Sequence, residues 1–406
     1  MVRTTVWLFL CILVGLSASC NFREVAPLTQ PNHIQKMAGI PDAEPGFASG
    51  VSACYAGAID DMLLMAGGCN FPDLPLTAGG KKRYYKGIYV ANRNVDSVFN
   101  WRKVGELPVA AAYGVSIPIP GGLIFAGGMN EEGSLSSVYR LSLSKDKQSV
   151  IMDTLPSLPF AIDNMAGVAV GKRLFLIGGN VEGKPSHSLL SAELPHLNEG
   201  WLQEPSFPGD ARIQPVCAAQ PAKGGTIYMW GGFAPSVGGV PATLSTDGYA
   251  YSLADRSWKQ LAAPMGNDSA AVSLGGGAAV SLNDSIIICT GGVNKSIFLS
   301  ALRRGEMLQK AKAAQYTKQI DSLKTVDSVY LSRPADWYCF NDKVLLYNVP
   351  RDCWTEVSRN SSLARAGAAL VGCNDTLFSI CGELKPGVRT PEINRLIISS
   401  YEHLYK

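Results

Sequence analysis

The sequence predicts an all-β chain folded as a six-bladed β-propeller, and three observations predict it. First, an apolar run closing on glycine recurs six times: MLLMAGG (62–68), GLIFAGG (122–128), RLFLIGG (173–179), TIYMWGG (226–232), SIIICTGG (285–292) and TLFSICG (376–382). The closing glycines step by 60, 51, 53, 60 and 90 residues, a repeat length that suits one four-stranded blade per copy. Second, a phrase with outer-strand character follows the runs: WRKVGELP (101–108), IMDTLPSLP (151–159), WLQEPSFP (201–208), WKQLAAPM (258–265) and WTEVSRNS (354–361). Third, Gly makes up 42 of 406 residues, about half again the usual ~7%, which favours tight turns over long helices.

The elements follow in order from the N-terminus. Arg3, the apolar run 6–16 and the small residues Ser17, Ala18 and Ser19 form an export signal over 1–19; the run is too short to span a bilayer. Cys20 after Ser-Ala-Ser resembles the bacterial lipoprotein box, although Leu16 stands four residues before the cysteine where the box prefers three. That resemblance implies a lipidated Cys20, a tether over 20–32, and a location in the bacterial periplasm or outer membrane. No second stretch is apolar for long enough to span, so the lipid is the expected membrane contact.

Residues 33–406 then form the propeller. Glycine-doublet repeats of this length are the kelch pattern, with each doublet at the end of a blade's second strand. The sixth outer strand is found at the opposite end of the chain, in IQKMAGIP (34–41), so the N-terminal segment is expected to complete the last blade and remove a free edge. The long step of 90 holds residues 299–337, rich in Ala, Leu, Lys, Gln and Glu, which predicts a helical insertion in the fifth blade. It is either a surface excursion or a lid.

Several function classes are excluded by composition. Lys+Arg 36 against Asp+Glu 33 leaves +3, too little for a nucleic-acid surface. The four histidines (His33, His187, His196, His403) have no ligand spacing and no CxxC is present, so no metal or cofactor is expected. A copper site of two tyrosines and two histidines is disfavoured for the same reason. With Cys11 in the signal and Cys20 at its end, eight cysteines remain, most where a small apolar residue would serve, which favours buried thiols.

In a four-stranded meander, the loops after strand two and after strand four open on one face. The residues after the doublets (Asn70, Asn130, Asn180, Asn294, Glu383) are therefore expected to share a rim with those opening inner strands (Tyr113, Arg212, Arg365). Within GELKPGVRT (382–390), the Pro386-Gly387 turn can fold Glu383 and Arg389 together. That is a proton-transfer group beside a carboxylate-gripping one; the plainer alternative is a surface loop with a weak ion pair.

GELKPGVRT, GGVNKSIF (291–298) and ELPVAAAYGVS (106–116) resemble the exported N-acetylneuraminate mutarotases, or sialic acid epimerases, a six-bladed kelch family. The order of blocks resembles its cyclically permuted branch. The resemblance implies a small sugar acid as substrate, Glu383 as acid/base and Arg389 as a site residue. It also implies Arg212 in PGDARIQP (208–215) as a substrate arginine; Asn294 and Tyr113, on the expected rim, are further candidate substrate contacts. An arginine common in the family before AYGVS is Ala111 here. A non-catalytic kelch binding module and a mutarotase for another sugar remain as alternatives.

Overall fold

The computed structural model describes residues 34–398; the expected export signal, lipidated Cys20 and tether lie outside them. Six four-stranded antiparallel sheets form the blades. Blade 1 runs Tyr55–Ile59, Met62–Ala66, Gly87–Asn92 and Arg102–Glu106, and blades 2 to 5 repeat that meander. Blade 6 takes Ala369–Cys373, Thr376–Ile380 and Ile393–Ile397 from the end of the chain. Its fourth strand is Ile34–Met37, with Ile34 opposite Leu396 and Met37 opposite Ile393.

The apolar second strands are explained by how the blades stack. Each lies in mid-blade and packs on both faces, so its side chains alternate between two neighbours. Leu64 packs with Leu123 and Phe125 of blade 2, while Leu63 and Met65 pack with Phe378 and Ile380 of blade 6. Ile124 meets Leu174 and Leu176, Phe175 meets Ile227 and Met229, Trp230 meets Ile287, and Ile288 meets Leu377. The core is thus six inter-blade layers rather than one centre, and that is why the runs show no polar alternation.

At the axis the blades are tied by a closed girdle of six backbone hydrogen bonds. The N–H of Tyr113 donates to Ala53 O, Asn164 to Tyr113, Gln214 to Asn164, Gly276 to Gln214, Gly367 to Gly276, and Ala53 to Gly367, at 2.7–3.1 Å. All six residues are left-handed, with φ from 50° to 73°. That region costs a non-glycine residue about 1–2 kcal/mol, so Ala53, Tyr113, Asn164 and Gln214 are held there by the ring.

The insertion in blade 5 is a helical hairpin, α1 (Lys295–Ala313) and α2 (Thr317–Ser332), followed by a 3-10 turn, Ala335–Tyr338. It begins four residues before the expected 299 because Asn294 caps it: its Oδ1 accepts the Ile297 N–H at 3.1 Å. None of Cys54, Cys69, Cys217, Cys289, Cys339, Cys353, Cys373 and Cys381 forms a disulfide, and six of these eight are buried.

Candidate active site

The residue after each glycine doublet pairs with the residue just before a girdle residue, which fixes the equivalences between blades. Ser52 bridges Cys69, Ala112 bridges Met129, Ile213 bridges Phe233, and Ala366 bridges Glu383; Asp163 pairs with Asn180. Glu383 therefore stands where other blades carry Cys69, Met129, Asn180 and Phe233. Asn70, Asn130 and Asn294 fall one residue further on, out of register with it. The fold is satisfied there by apolar or neutral side chains, so a carboxylate is not a folding requirement.

Local structure then brings Arg389 to it. Glu383–Lys385 and Val388–Arg389 form a two-strand ribbon in which Glu383 faces Arg389. Gly387 turns the chain at φ 83°, and its N–H donates to Glu383 Oε1 at 2.8 Å. Arg389 Nη1 donates to the same oxygen at 3.1 Å, its Nε donates to Ser52 Oγ at 3.0 Å, and its guanidinium carbon lies 5.1 Å from the Phe71 ring centre. The Glu383 side chain is 25% exposed and that of Arg389 3%. Burial works against the Arg389 charge, but Glu383 and Tyr113 more than offset it and hold the group above its ordinary value.

Tyrosines surround this pair. Tyr113, in the girdle, has its hydroxyl pushed well up by burial, then by Cys69 and Glu383, with Arg389 opposing. Tyr84 is pushed up to about 12 by burial, Cys69, Asp163 and Glu131. Tyr330 of α2 is raised by burial and Tyr338, with Arg304 opposing and Glu383 adding to the rise. All three remain hydrogen-bond donors at neutral pH. Lys385 Nζ donates to Leu331 O at 3.2 Å and Arg333 O at 2.6 Å, so the last carbonyls of α2 are docked on the ribbon that carries Glu383.

Of the residues expected from sequence, Glu383, Arg389 and Tyr113 are brought together and two are not. Arg212 is fully buried: Nη1 donates to Asp247 Oδ1 at 2.5 Å, Nη2 to Oδ2 at 3.2 Å and Nε to Asp210 O at 2.8 Å. It ties Asp210, Gly231 and Asp247 together. Arg365 holds the same position with Cys381 O, Glu392 O and the Glu392 carboxylate. Ala111 is their counterpart, since Ala111, Arg212 and Arg365 each accept the N–H of a closing doublet glycine, and it too is buried. Asn294 spends its carboxamide oxygen on α1 and lines a separate cleft of about 800 Å³ with Leu384 and Glu392.

The sequence does not single out Ser52, which accepts the Arg389 Nε–H, or Asp163. Asp163 is 1% exposed and is held by neutral donors: Ser134 and Asn164, with Asn180 at 3.4 Å. Ser52 and Asp163 could have been found by aligning the residues that open the inner strands, where both occupy one position.

The comparisons agree with this architecture. A family model described as N-acetylneuraminate epimerase matches residues 155–405. The N-acetylneuraminate epimerase of Salmonella arizonae is 31% identical over 245 residues, 60% of this chain and 58% of the relative. That of Salmonella typhi is 29% identical over 242 residues, again 60% and 58%. A kelch domain-containing protein of Vibrio cholerae is 25% identical over 249 residues, 61% and 65%. The matched part thus spans under two thirds of these relatives, while the family match covers more than half of this chain, and the chain belongs to the N-acetylneuraminate epimerase family.

Proposed function

We propose that the protein is an isomerase that interconverts the α and β anomers of N-acetylneuraminate by opening and reclosing the sugar ring. The observation that carries this reading is the carboxylate of Glu383: it is part-exposed at an inter-blade position otherwise apolar or neutral, and oriented by two donors on one oxygen. Both bonds fall on Oε1, which leaves Oε2 to receive a proton.

In the proposed step, Glu383 takes the proton of the anomeric O2 hydroxyl as the C2–O6 bond breaks. C2 becomes a ketone, and Glu383 passes the proton it has taken to O6. Rotation about the C2–C3 bond presents the other face of the carbonyl, O6 attacks as Glu383 takes back its proton, and Glu383 returns that proton to O2. No atom is gained or lost. Assistance of this kind is typically worth roughly 10²–10⁴-fold. Arg389 fixes the carboxylate in direction, while the tyrosine hydroxyls supply neutral donors to the developing oxyanion.

The test is proton NMR of freshly released α-N-acetylneuraminate with and without the protein. Faster approach to the anomeric equilibrium supports the reading; binding with no acceleration supports a non-catalytic sugar-binding module instead. Export with lipidation at Cys20 belongs to the same proposal and rests on the apolar run 6–16 before Ser-Ala-Ser-Cys. Mass spectrometry of the mature N-terminus tests it, and an unmodified Cys20 would exclude it.

A further inference from the structure

We propose that Lys82, hydrogen-bonded to Tyr113, is the cation that pairs with the carboxylate of the sugar acid; this rests on the function proposed above. The placement follows from the repeat. Cys69–Asn70 and Arg83–Tyr84 form a two-strand ribbon with Cys69 opposite Tyr84, the blade 1 counterpart of the ribbon with Glu383 opposite Arg389. Tyr84 thus occupies the position of Arg389, and Lys82, two residues earlier, falls on the side of the chain that Tyr84 faces. The two ribbons are neighbours, because Phe71, just past Asn70, carries the Arg389 guanidinium.

The surroundings of Lys82 suit an anion. Its Nζ donates to Tyr113 Oη at 3.1 Å and lies 4.7 Å and 5.9 Å from the ring centres of Tyr113 and Tyr84. It is half-buried. Its neighbours Arg83 and Lys86 have Asp73 and Glu106 as partners, whereas among the described residues no carboxylate pairs with Lys82. An ammonium stripped of part of its water, over two aromatic faces and without a counter-ion, gains by taking one.

The alternative cation is already engaged. Arg389 has 3% of its side chain exposed, and its Nε and Nη1 serve Ser52 and Glu383. In a 2-keto sugar acid the carboxylate sits on the same carbon as the anomeric hydroxyl, so its partner must stand beside the proton-transfer group. Tyr113 connects the two: it receives the Lys82 hydrogen bond, and its hydroxyl feels the fields of Glu383 and Arg389.

The experiment measures equilibrium binding of N-acetylneuraminate and of its C1 methyl ester by calorimetry, on the wild type, Lys82→Met and Lys82→Arg, with wild-type anomer exchange followed separately by NMR. The wild type should bind the acid about tenfold or more tightly than the ester, the scale of one charge-assisted bond. Lys82→Met should bring that ratio below about threefold, and Lys82→Arg, which keeps the charge, should restore most of it. An acid preference that persists in Lys82→Met overturns the assignment and returns the role to Arg389. A wild type that binds neither compound overturns both the sugar reading and the role of Lys82. If the ratio collapses as expected but the wild type does not accelerate exchange, Lys82 stands and the catalytic reading falls.

Discussion

Glu383 and Arg389 face each other across a ribbon only two residues deep, with Arg389 Nη1 3.1 Å from Glu383 Oε1. The contact differs from a surface ion pair because the arginine is almost completely buried and fixed by Ser52 and Phe71 from a different blade. Ser52 belongs to the first blade and the ribbon to the last, so the pair sits at the seam that the N-terminal strand closes. Ring closure and site assembly are therefore coupled: the strand Ile34–Met37 completes the blade whose second and third strands are joined by the Glu383 ribbon.

Glu383→Gln should keep the fold and remove most of the anomerisation, because the amide preserves shape but cannot shuttle a proton. A loss of roughly 10²–10⁴-fold above the spontaneous rate is expected. Anomer exchange in the variant equal to wild type, read by NMR, would remove the acid/base role from this residue.

Gly387→Ala should separate positioning from stability. Gly387 sits at φ 83°, and a Cβ there would approach Leu76 Cβ to 2.7 Å. The left-handed conformation alone costs about 1–2 kcal/mol, and relief by rotation of the turn withdraws the N–H from Glu383 Oε1. Activity should fall by about tenfold, the equivalent of one such hydrogen bond, with a denaturation midpoint only slightly lowered. Unchanged activity would mean that the turn does not orient the carboxylate.

The blades were legible because their signals are local: the apolar run, the glycine doublet and the outer-strand phrase each lie within one strand or turn. The Glu383–Arg389 pair was legible for the same reason, being one turn long. The partner of Arg212 is not legible in the sequence, because Asp247 lies 35 residues away. The helix cap at Asn294 is not legible either, because a helix cap and a ligand contact use the same carboxamide. Ser52 is not legible as a partner of Arg389, because it reaches the ribbon from the first blade, across the seam, where only the closed ring makes neighbours of residues 52 and 389.

Arg212→Met should destabilise the propeller without changing how the site binds its ligand. Removing the arginine leaves Asp247 without its cation and Gly231 O without a donor. Breaking a buried pair costs about 3–5 kcal/mol; with the Asp247 side chain 29% exposed, about 2–4 kcal/mol is expected. Urea denaturation reads the loss and calorimetry reads the ligand affinity. A variant as stable as wild type but unable to bind would restore Arg212 to the site.

Acid should unfold the protein through carboxylates that the fold holds ionised. The side chain of Glu204 is 2% exposed, and burial alone would raise its pKa. The hydroxyls of Ser191 and Tyr251 and the charges of Arg173 and Arg256 outweigh that and hold it below its ordinary value. Asp247 behaves alike: burial raises it, but the hydrogen bond and charge of Arg212 prevail. A carboxylate with a depressed folded pKa contributes stability that is fully present above its unfolded value, about 4.3 for Glu and 3.9 for Asp. That contribution disappears as pH falls through the folded pKa. The urea midpoint should therefore show no acid loss from these groups at neutral pH and decline below about pH 4. In Glu204→Gln, which has no such proton to gain, the decline should be shallower. A slope below pH 4 as steep in the variant as in wild type would assign the acid sensitivity to other groups.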